Sequence, residues 1–223
     1  MQTIYAPKGA AKEYGDLALN IYTGCPHGCF YCYAPKVLRR DKAAFHKNVT
    51  PRAKVVEETA RYIKTHRLTG KTVHLCFTCD PYPTGYDDTA TREIIKCLKG
   101  AGNHVQILTK GSGVRDFDLL DDMDWYGVTL DGSGTREGEL MADLKAAHDR
   151  GVRTWVSFEP VVDAGRVLSE IIEVAGFVDR VKIGKLNYFT SDIDWRSFGR
   201  AAEALCKRLG VDYTIKESLR KMM

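Results

Sequence analysis

The sequence lacks a long apolar run, a low-complexity segment and any composition shift that would mark a linker. Its apolar stretches fall short of the roughly 18–20 residues that a membrane-spanning helix needs, and the opening MQTIYAPKGAAKEYG contains no apolar signal segment. The seven cysteines, an odd number, fit a reducing compartment better than a disulfide framework. We therefore expect a cytoplasmic, monomeric protein without membrane association, built as one domain over residues 1–223.

The charge is nearly balanced in number but uneven along the chain. The formal net charge is +4, from 33 basic and 29 acidic residues. Between Lys36 and Lys54 there are seven basic residues against one acid, Asp41. Such a segment can meet phosphate groups and so favours a nucleic acid or nucleotide substrate, although charged runs are more often a solvated surface.

Short β-branched or aromatic runs alternate with segments of helical periodicity. The expected strands are Leu17–Tyr22, Thr72–Cys79, His104–Thr109, Trp125–Leu130, Arg153–Phe158, Val178–Ile183 and a last one near Val211–Ile215. Most are apolar throughout, as in parallel strands that are covered on both faces. The pattern predicts an α/β fold with a parallel sheet, either an open barrel or a doubly wound sheet.

Two of the predicted helices have clear boundaries. Thr50 followed by Pro51 is typical of a helix start, with a capping residue and then proline at the first helical position. Asp194 precedes the apolar stripe of a last helix, which with its tail occupies residues 193–223.

Polar residues follow the predicted strands, where the ligands of parallel α/β proteins gather. They are the cysteine loop after the first strand, Thr78 to Asp80 after the second, Lys110 after the third, Thr129 and Asp131 at the fourth, Ser157 and Glu159 at the fifth, and Lys182 to Asn187 at the sixth. This coincidence of titratable groups with strand ends predicts an enzyme.

The cysteine loop, residues 23–36, holds Cys25, Cys29 and Cys32 in the pattern C-x3-C-x2-C. Three thiolates this close suit zinc or an iron–sulfur cluster. A structural zinc site normally has four protein ligands, and the nearest further thiols, Cys76 and Cys79, form a separate pair. A cluster held by three cysteines leaves one iron open to a small molecule.

The stretch from Tyr22 to Pro35 resembles the cluster loop of radical SAM (S-adenosylmethionine) enzymes, in the form seen in the spore photoproduct lyase-like subgroup. Further segments resemble the short members of that subgroup: IYAPKG, FTCDPY, ILTKG, WVSFEPV and KIGKLNY. The resemblance implies a partial (β/α)6 barrel with parallel strands and outer helices, a [4Fe–4S] cluster, S-adenosylmethionine as cofactor and an electron donor of the flavodoxin or ferredoxin type.

The resemblance also implies roles for single residues. Cys25, Cys29 and Cys32 would hold three irons, and S-adenosylmethionine would chelate the fourth through its amine and carboxylate. The implied S-adenosylmethionine contacts are Tyr31 at adenine, Thr78 and Asp80 at the methionine ammonium, Lys110 at its carboxylate, Thr129 at carboxylate or ribose, and Ser157 or Glu159 at the ribose.

The substrate stays open at this stage. Spore photoproduct lyase repairs a thymine dimer with a cysteine hydrogen donor after the second strand and tyrosines near its cluster. Cys76, Cys79 and Tyr33 offer the same residue types for a radical role, although a buried cysteine is usually a small apolar residue. We keep three hypotheses: a radical SAM enzyme with an unidentified substrate, an enzyme of DNA-base repair or modification, and a non-enzymatic iron–sulfur or zinc module.

Overall fold

A computed structural model describes residues 3–223, and the chain divides into two units, one ending at Asp124 and the other beginning at Trp125. The strands of the first unit are β1 (Ile4–Tyr5), β2 (Leu17–Leu19), β3 (Tyr22–Thr23), β4 (Thr50–Pro51), β5 (Thr72–Leu75) and β6 (His104–Ile107). β2, β5 and β6 are parallel neighbours in that order, β1 adds to β2 antiparallel, and β3 with β4 forms a separate antiparallel pair.

The helices of the first unit are α1 (Ala34–Val37), α2 (Lys42–Lys47), α3 (Val55–His66) and α4 (Thr89–Gly100). α4 buries Ile94, Ile95 and Leu98 completely and contacts β6 and α3. This matches the apolar face expected from its periodicity.

The expected helix start at Thr50 and Pro51 is wrong. These residues form β4, where Thr50 lies opposite Thr23 and Pro51 opposite Tyr22. The Thr50 and Thr23 hydroxyls are 3.0 Å apart, and the Arg52 amide donates to the Ile21 carbonyl. Proline is accommodated here because a two-residue edge strand needs few backbone amide donors. The helix α3 begins only at Val55.

The second unit has strands β7 (Trp125–Thr129), β8 (Arg153–Phe158), β9 (Arg180–Ile183) and β10 (Asp212–Ile215), all parallel and adjacent in chain order. Its helices are α5 (Glu137–His148), α6 (Ala164–Val174), α7 (Trp195–Leu209) and α8 (Glu217–Arg220). α7 begins as expected at Asp194, whose carboxylate accepts from the Arg196 and Ser197 amides, and ends at the left-handed Gly210.

The register of β7–β10 gives the two sheet faces different chemistry, since alternate residues of a strand point to opposite faces. One face is almost wholly apolar: Tyr126, Val128, Thr154, Val156, Phe158, Val181, Ile183, Tyr213 and Ile215. α5 contacts β7 and β8, and α7 contacts β10, which accounts for this apolar surface. The opposite face, which we call the polar face, has Thr129, Ser157, Lys182 and Thr214 side by side in one row.

The predicted α/β class with parallel strands is confirmed in both units. β5, β6 and β7 end earlier than expected, at Leu75, Ile107 and Thr129, and the first predicted strand is divided between β2 and β3. The polar residues at these ends turn away from the strand to make contacts of their own. Among the helices within residues 3–223, none has the length and apolar content that a membrane span requires.

Gly127 tests the packing of the second unit. A Cβ atom at this position would overlap the indole ring of Trp155, so we expect Gly127→Ala to lower the free energy of unfolding by about 1–3 kcal/mol. Gly138→Ala is the matched control, because a Cβ atom at this position of α5 meets no atom within 4 Å; it should raise stability by up to about 1 kcal/mol. Urea unfolding measures both, and equal effects of the two substitutions would refute this packing.

Glu170 on α6 should make stability depend on pH. Burial and the neighbouring Glu137 carboxylate raise the pKa of Glu170 to about 8, with Arg166 opposing them. A carboxyl group whose pKa is higher in the folded than in the unfolded state loses its stabilising contribution as pH rises. The wild-type free energy of unfolding should therefore fall between about pH 5 and pH 8, and Glu170→Gln should remove most of that fall. Exposed Glu173→Gln is the control, and identical pH profiles for all three proteins would contradict the assignment.

Candidate functional site

The three clustered cysteines lie in the segment 24–49, which contains most of the cysteine loop and connects β3 to β4 within the first unit. Inside this segment, Asp41 caps α2 by accepting from the Ala44 amide at 2.8 Å, and the Phe45 side chain is buried. The Cys25 amide donates to the Phe45 carbonyl at 3.3 Å, and His46 Nδ1 lies 2.8 Å from the Cys25 carbonyl. α2 therefore serves as the internal support of the cysteine segment.

Gly24 allows the end of α2 to pack closely against the cysteine segment. Its φ is +93°, and a Cβ atom there would collide with the carbonyl oxygens of Phe45 and Asn48. Both the backbone conformation and the space exclude a side chain. The segment with Cys25 can therefore lie directly against the end of α2.

Cys25, Cys29 and Cys32 are all half-buried, and the Cys32 amide donates to the Cys29 carbonyl at 3.1 Å. Burial raises the pKa of the Cys25 thiol, and the nearby Asp80 and Cys29 raise it further. Burial also raises the pKa of Cys32, again with Cys29 adding to the effect. Thiols of this kind stay protonated until a bound metal centre stabilises them as thiolates.

The two histidines of the segment 24–49 are directed at protein groups. His27 Nε2 lies 3.1 Å from the Asp80 carboxylate, and His46 Nδ1 lies at the Cys25 carbonyl. Cys76 and Cys79 contact each other. The loop thus offers three thiolates, which fits a cluster with one open iron better than a zinc ion with four protein ligands.

Asp80, which follows β5, is buried, and its carboxylate accepts hydrogen bonds from several groups. Its Oδ1 accepts from the Tyr82 amide at 2.8 Å and the Thr109 hydroxyl at 2.5 Å, and its Oδ2 accepts from the Lys110 amide at 2.8 Å. With His27 beside Oδ2, this carboxylate joins the ends of β5 and β6 to the cysteine loop. Asp80 is therefore a positioning residue in this geometry.

The other predicted cofactor residues of the first unit lie around this carboxylate. The Lys110 ammonium lies 5.7 Å from the centre of the Tyr31 ring. The Thr78 amide donates to Asn20 Oδ1 at 2.8 Å, and the Thr78 hydroxyl accepts from Arg52 at 3.3 Å. Lys110 thus lies beside Tyr31 through its ammonium and beside Asp80 through its amide.

Tyr33 and the cysteine pair after β5 differ in exposure. The Tyr33 ring is 46% exposed, and its hydroxyl donates to the Phe77 carbonyl at 2.6 Å. Cys79 Sγ accepts from the Tyr22 amide at 3.3 Å. Burial alone would raise the pKa of Cys79, but bonds from Cys76 and Tyr22 and the charge of Arg52 lower it, whereas burial and Cys79 raise the pKa of Cys76.

The predicted residues of the second unit lie along its polar face. Thr129 ends β7 half-buried, and Ser157 lies fully buried on β8. Glu159 follows β8 and accepts from the Lys216 ammonium at 2.5 Å. Lys216 itself comes directly after β10 and is 3% exposed.

Four residues with clear positions were missed by the sequence argument: Asn20, His27, Arg52 and Lys216. Lys216 could have been predicted, because it follows the strand expected near Val211–Ile215 and ligands bind at the carboxyl ends of parallel strands. Asn20 was not, since its amide bridges Tyr5 and the amides of Phe77 and Thr78, which are distant in sequence.

A second group of metal-binding residue types, His104, Asp121 and Asp124, has its ligand atoms within 4.8 Å of one another. Lys99 bonds with both carboxylates, and the Val105 amide donates to Asp124 at 2.8 Å. This ion-pair network explains the group without a metal.

Comparison with known proteins agrees with this geometry. A family model described as the radical SAM superfamily matches residues 19–181, and no curated protein matches. Among solved structures, a mutant of spore photoproduct lyase has a TM-score of 0.64 at 12% identity, covering 92% of this chain and 65% of its own. A second mutant, with bound AdoMet and dinucleoside spore photoproduct, has a TM-score of 0.61 at 12% identity over 93% and 65%. Streptococcus suis SuiB bound to precursor peptide SuiA has 0.59 at 12% identity over 88% and 48%.

The chain spans 65% of the length of these spore photoproduct lyase chains. At such identities the likeness shows the fold alone, which is the α/β partial barrel of radical SAM proteins. The family match covers most of the chain and includes all three cysteines of the loop. The protein belongs to the radical SAM superfamily.

Proposed function

We propose that Cys25, Cys29 and Cys32 hold a [4Fe–4S] cluster, and that the enzyme uses it to cleave S-adenosylmethionine and abstract hydrogen from a substrate. The observation that carries this proposal is the set of three half-buried thiols on one loop. His27 of that loop lies 3.1 Å from the Asp80 carboxylate. When bound, the cluster supplies one electron to the sulfonium of S-adenosylmethionine, which releases methionine and a 5′-deoxyadenosyl radical.

In this proposal the side chains of the first unit bind S-adenosylmethionine and orient it. Asp80 fixes the Lys110 backbone through its amide, so that the Lys110 ammonium can pair with the methionine carboxylate. Tyr31, beside that ammonium, offers a ring face to adenine. The half-buried Thr78 hydroxyl is a neutral acceptor for the methionine ammonium.

The electron donor in this proposal is a small redox protein of the flavodoxin or ferredoxin type. Part of the cysteine loop is open to such a partner, since the Phe30 ring between Cys29 and Cys32 is 50% exposed. Electron transfer needs only proximity to the cluster, so an exposed ligand loop serves it.

The second candidate function differs in its substrate, which would be a nucleic-acid base. Supporting it are the exposed cations of the segment 24–49, among them Lys36, Arg40 and Lys42, which could contact phosphates. In this version Cys79 or Cys76, with Tyr33, would return hydrogen to the product. Burial and Cys79 raise the pKa of Cys76, which keeps the hydrogen on that thiol, and the contact between the two thiols places Cys79 beside it.

Removal of one cluster ligand tests the proposal. We expect Cys29→Ala, after anaerobic reconstitution with iron and sulfide, to lose most of its iron and to form no 5′-deoxyadenosine with dithionite and S-adenosylmethionine. Cys97→Ala, on α4, is the matched cysteine control and should behave as wild type. Iron analysis and mass spectrometry give the two readouts. Two outcomes would refute the proposal: 5′-deoxyadenosine formation at the wild-type level in the Cys29 variant, or no 5′-deoxyadenosine from a wild-type protein with its full iron content.

Lys110 tests the cofactor contact. We expect Lys110→Met to raise the dissociation constant for S-adenosylmethionine about tenfold, because a charge-assisted bond to the carboxylate is lost, while iron content stays at the wild-type level. Lys96→Met, on the exposed side of α4, is the control. Equilibrium dialysis with labelled cofactor measures the affinity. An unchanged constant would remove Lys110 from the site.

A further inference from the structure

The polar face of the second unit holds an unusual pair of cations. Within residues 3–223, Lys182 and Lys216 are the buried lysines, at 7% and 3% exposure. Burying an ammonium group is costly, and lysine is among the residues least often found buried. Neither residue has a part in the chemistry proposed above.

The strand register places both lysines at one end of one face. Ser157, Lys182 and Thr214 are direct partners across β8, β9 and β10. One row further along, the Gly184 amide donates to the Phe158 carbonyl and the Lys216 amide to the Ile183 carbonyl. Lys182 and Lys216 thus follow each other toward the carboxyl ends of the strands, where parallel α/β proteins bind ligands.

Gly184 shows how the second row is filled. A Cβ atom at this position would lie 2.8 Å from the Glu159 carboxyl carbon. Because glycine has no side chain, the Glu159 side chain can occupy this space. Its carboxylate crosses β9 and accepts from the Lys216 ammonium at 2.5 Å. The Glu159 carboxylate therefore orients Lys216 at the end of the sheet.

The first row is built differently. The Lys182 ammonium lies 5.3 Å from the centre of the Trp155 ring, which forms the layer below it on the same face. The hydroxyls of Ser157 and Thr129 belong to the same row. Two ammonium groups, two hydroxyls and one carboxylate thus share this end of the polar face, a set rich in the donors that an oxyanion needs.

An ion pair for stability alone accounts for less of this arrangement. A buried lysine–glutamate pair is often no more stabilising than apolar residues of the same volume. Lys182, in the adjacent row over a tryptophan, adds a second buried cation to this end of the face.

We propose that Lys182 and Lys216 bind an oxyanion of the substrate, either a phosphate or a carboxylate group. The assignment of this anion to the substrate rests on the proposed radical chemistry; the anion site itself rests on the second unit alone. S-adenosylmethionine also has a carboxylate, so the test must separate the two molecules.

The test uses the reconstituted protein with inorganic phosphate and succinate as probes, at constant ionic strength, with and without saturating S-adenosylmethionine. The variants are Lys182→Met and Lys216→Met, which keep side-chain length, and Lys182→Arg, which keeps the charge. Lys207→Met is the matched control, since this lysine is exposed on α7. Binding is followed by tryptophan fluorescence and by the midpoint of thermal unfolding, and circular dichroism checks the fold.

The expected result is saturable binding of one probe, at least tenfold weaker in both methionine variants and near wild type in Lys182→Arg and Lys207→Met. The probe that binds tells phosphate from carboxylate. S-adenosylmethionine affinity should stay unchanged in all four variants. No saturable binding, or wild-type binding in both methionine variants, overturns the proposal. So does a parallel loss of S-adenosylmethionine affinity, because the lysines would then serve the cofactor.

The Cys29→Ala protein separates this proposal from the one on which it rests. Anion binding should persist in that variant, since its cluster ligand lies in the other unit. If wild type binds the anion but cleaves no S-adenosylmethionine, the radical proposal fails and the anion site stands. If it cleaves S-adenosylmethionine but binds neither anion, the anion site fails and the radical proposal stands.

Discussion

The Asp80 carboxylate is the constraint on which the candidate cofactor site depends. It is buried, and a buried charge is tolerated only when donors surround it. The donors come from two segments: the loop after β5 through the Tyr82 amide, and the end of β6 through the Thr109 hydroxyl and the Lys110 amide. His27 of the cysteine loop lies 3.1 Å from the same carboxylate. The candidate cofactor lysine and the cysteine loop therefore meet at one buried side chain.

Asp80 also has a structural role beside the one that the resemblance implies for it. Its oxygens accept from two of the protein's own amides and a hydroxyl. Thr78, whose hydroxyl accepts from Arg52 at 3.3 Å, is the neutral residue of the pair implied at the methionine ammonium. A residue can thus lie at a binding site and act by holding the others in position.

The sequence was enough for the parallel α/β class and for the placement of Cys25, Lys110 and Ser157 at strand ends, because continuous apolar runs and their terminal polar residues are local signals. It misled at Thr50 and Pro51, where a helix start and a two-residue edge strand look alike until the partner strand is known. His27 and Asn20 stayed hidden for a related reason: Asp80, beside His27, and Phe77 and Thr78, which donate to Asn20, lie more than 50 residues away.

The second unit shows a different limit. Lys182 lies within β9 among apolar neighbours, and in a strand buried on both sides the alternation that separates the faces is hard to see. Only the register against Ser157 and Thr214 reveals that three polar residues form one row. Side-chain chemistry is encoded strand by strand, but a row across a sheet exists only once the strands are aligned.

The pairing of β3 with β4 has a consequence for how such enzymes can diversify. Because this short ladder closes residues 24–49 at their base, and Gly24 seats the cysteine segment against α2, the ligand geometry is set near the closure point. The entropy of closing a loop grows only slowly with its length, by about 0.6 kcal/mol for each doubling. Insertions beyond Cys32, on the exposed side around Val37 and Arg40, can therefore lengthen the loop at little thermodynamic cost. The segment can therefore gain new surface without displacing the three candidate ligand cysteines.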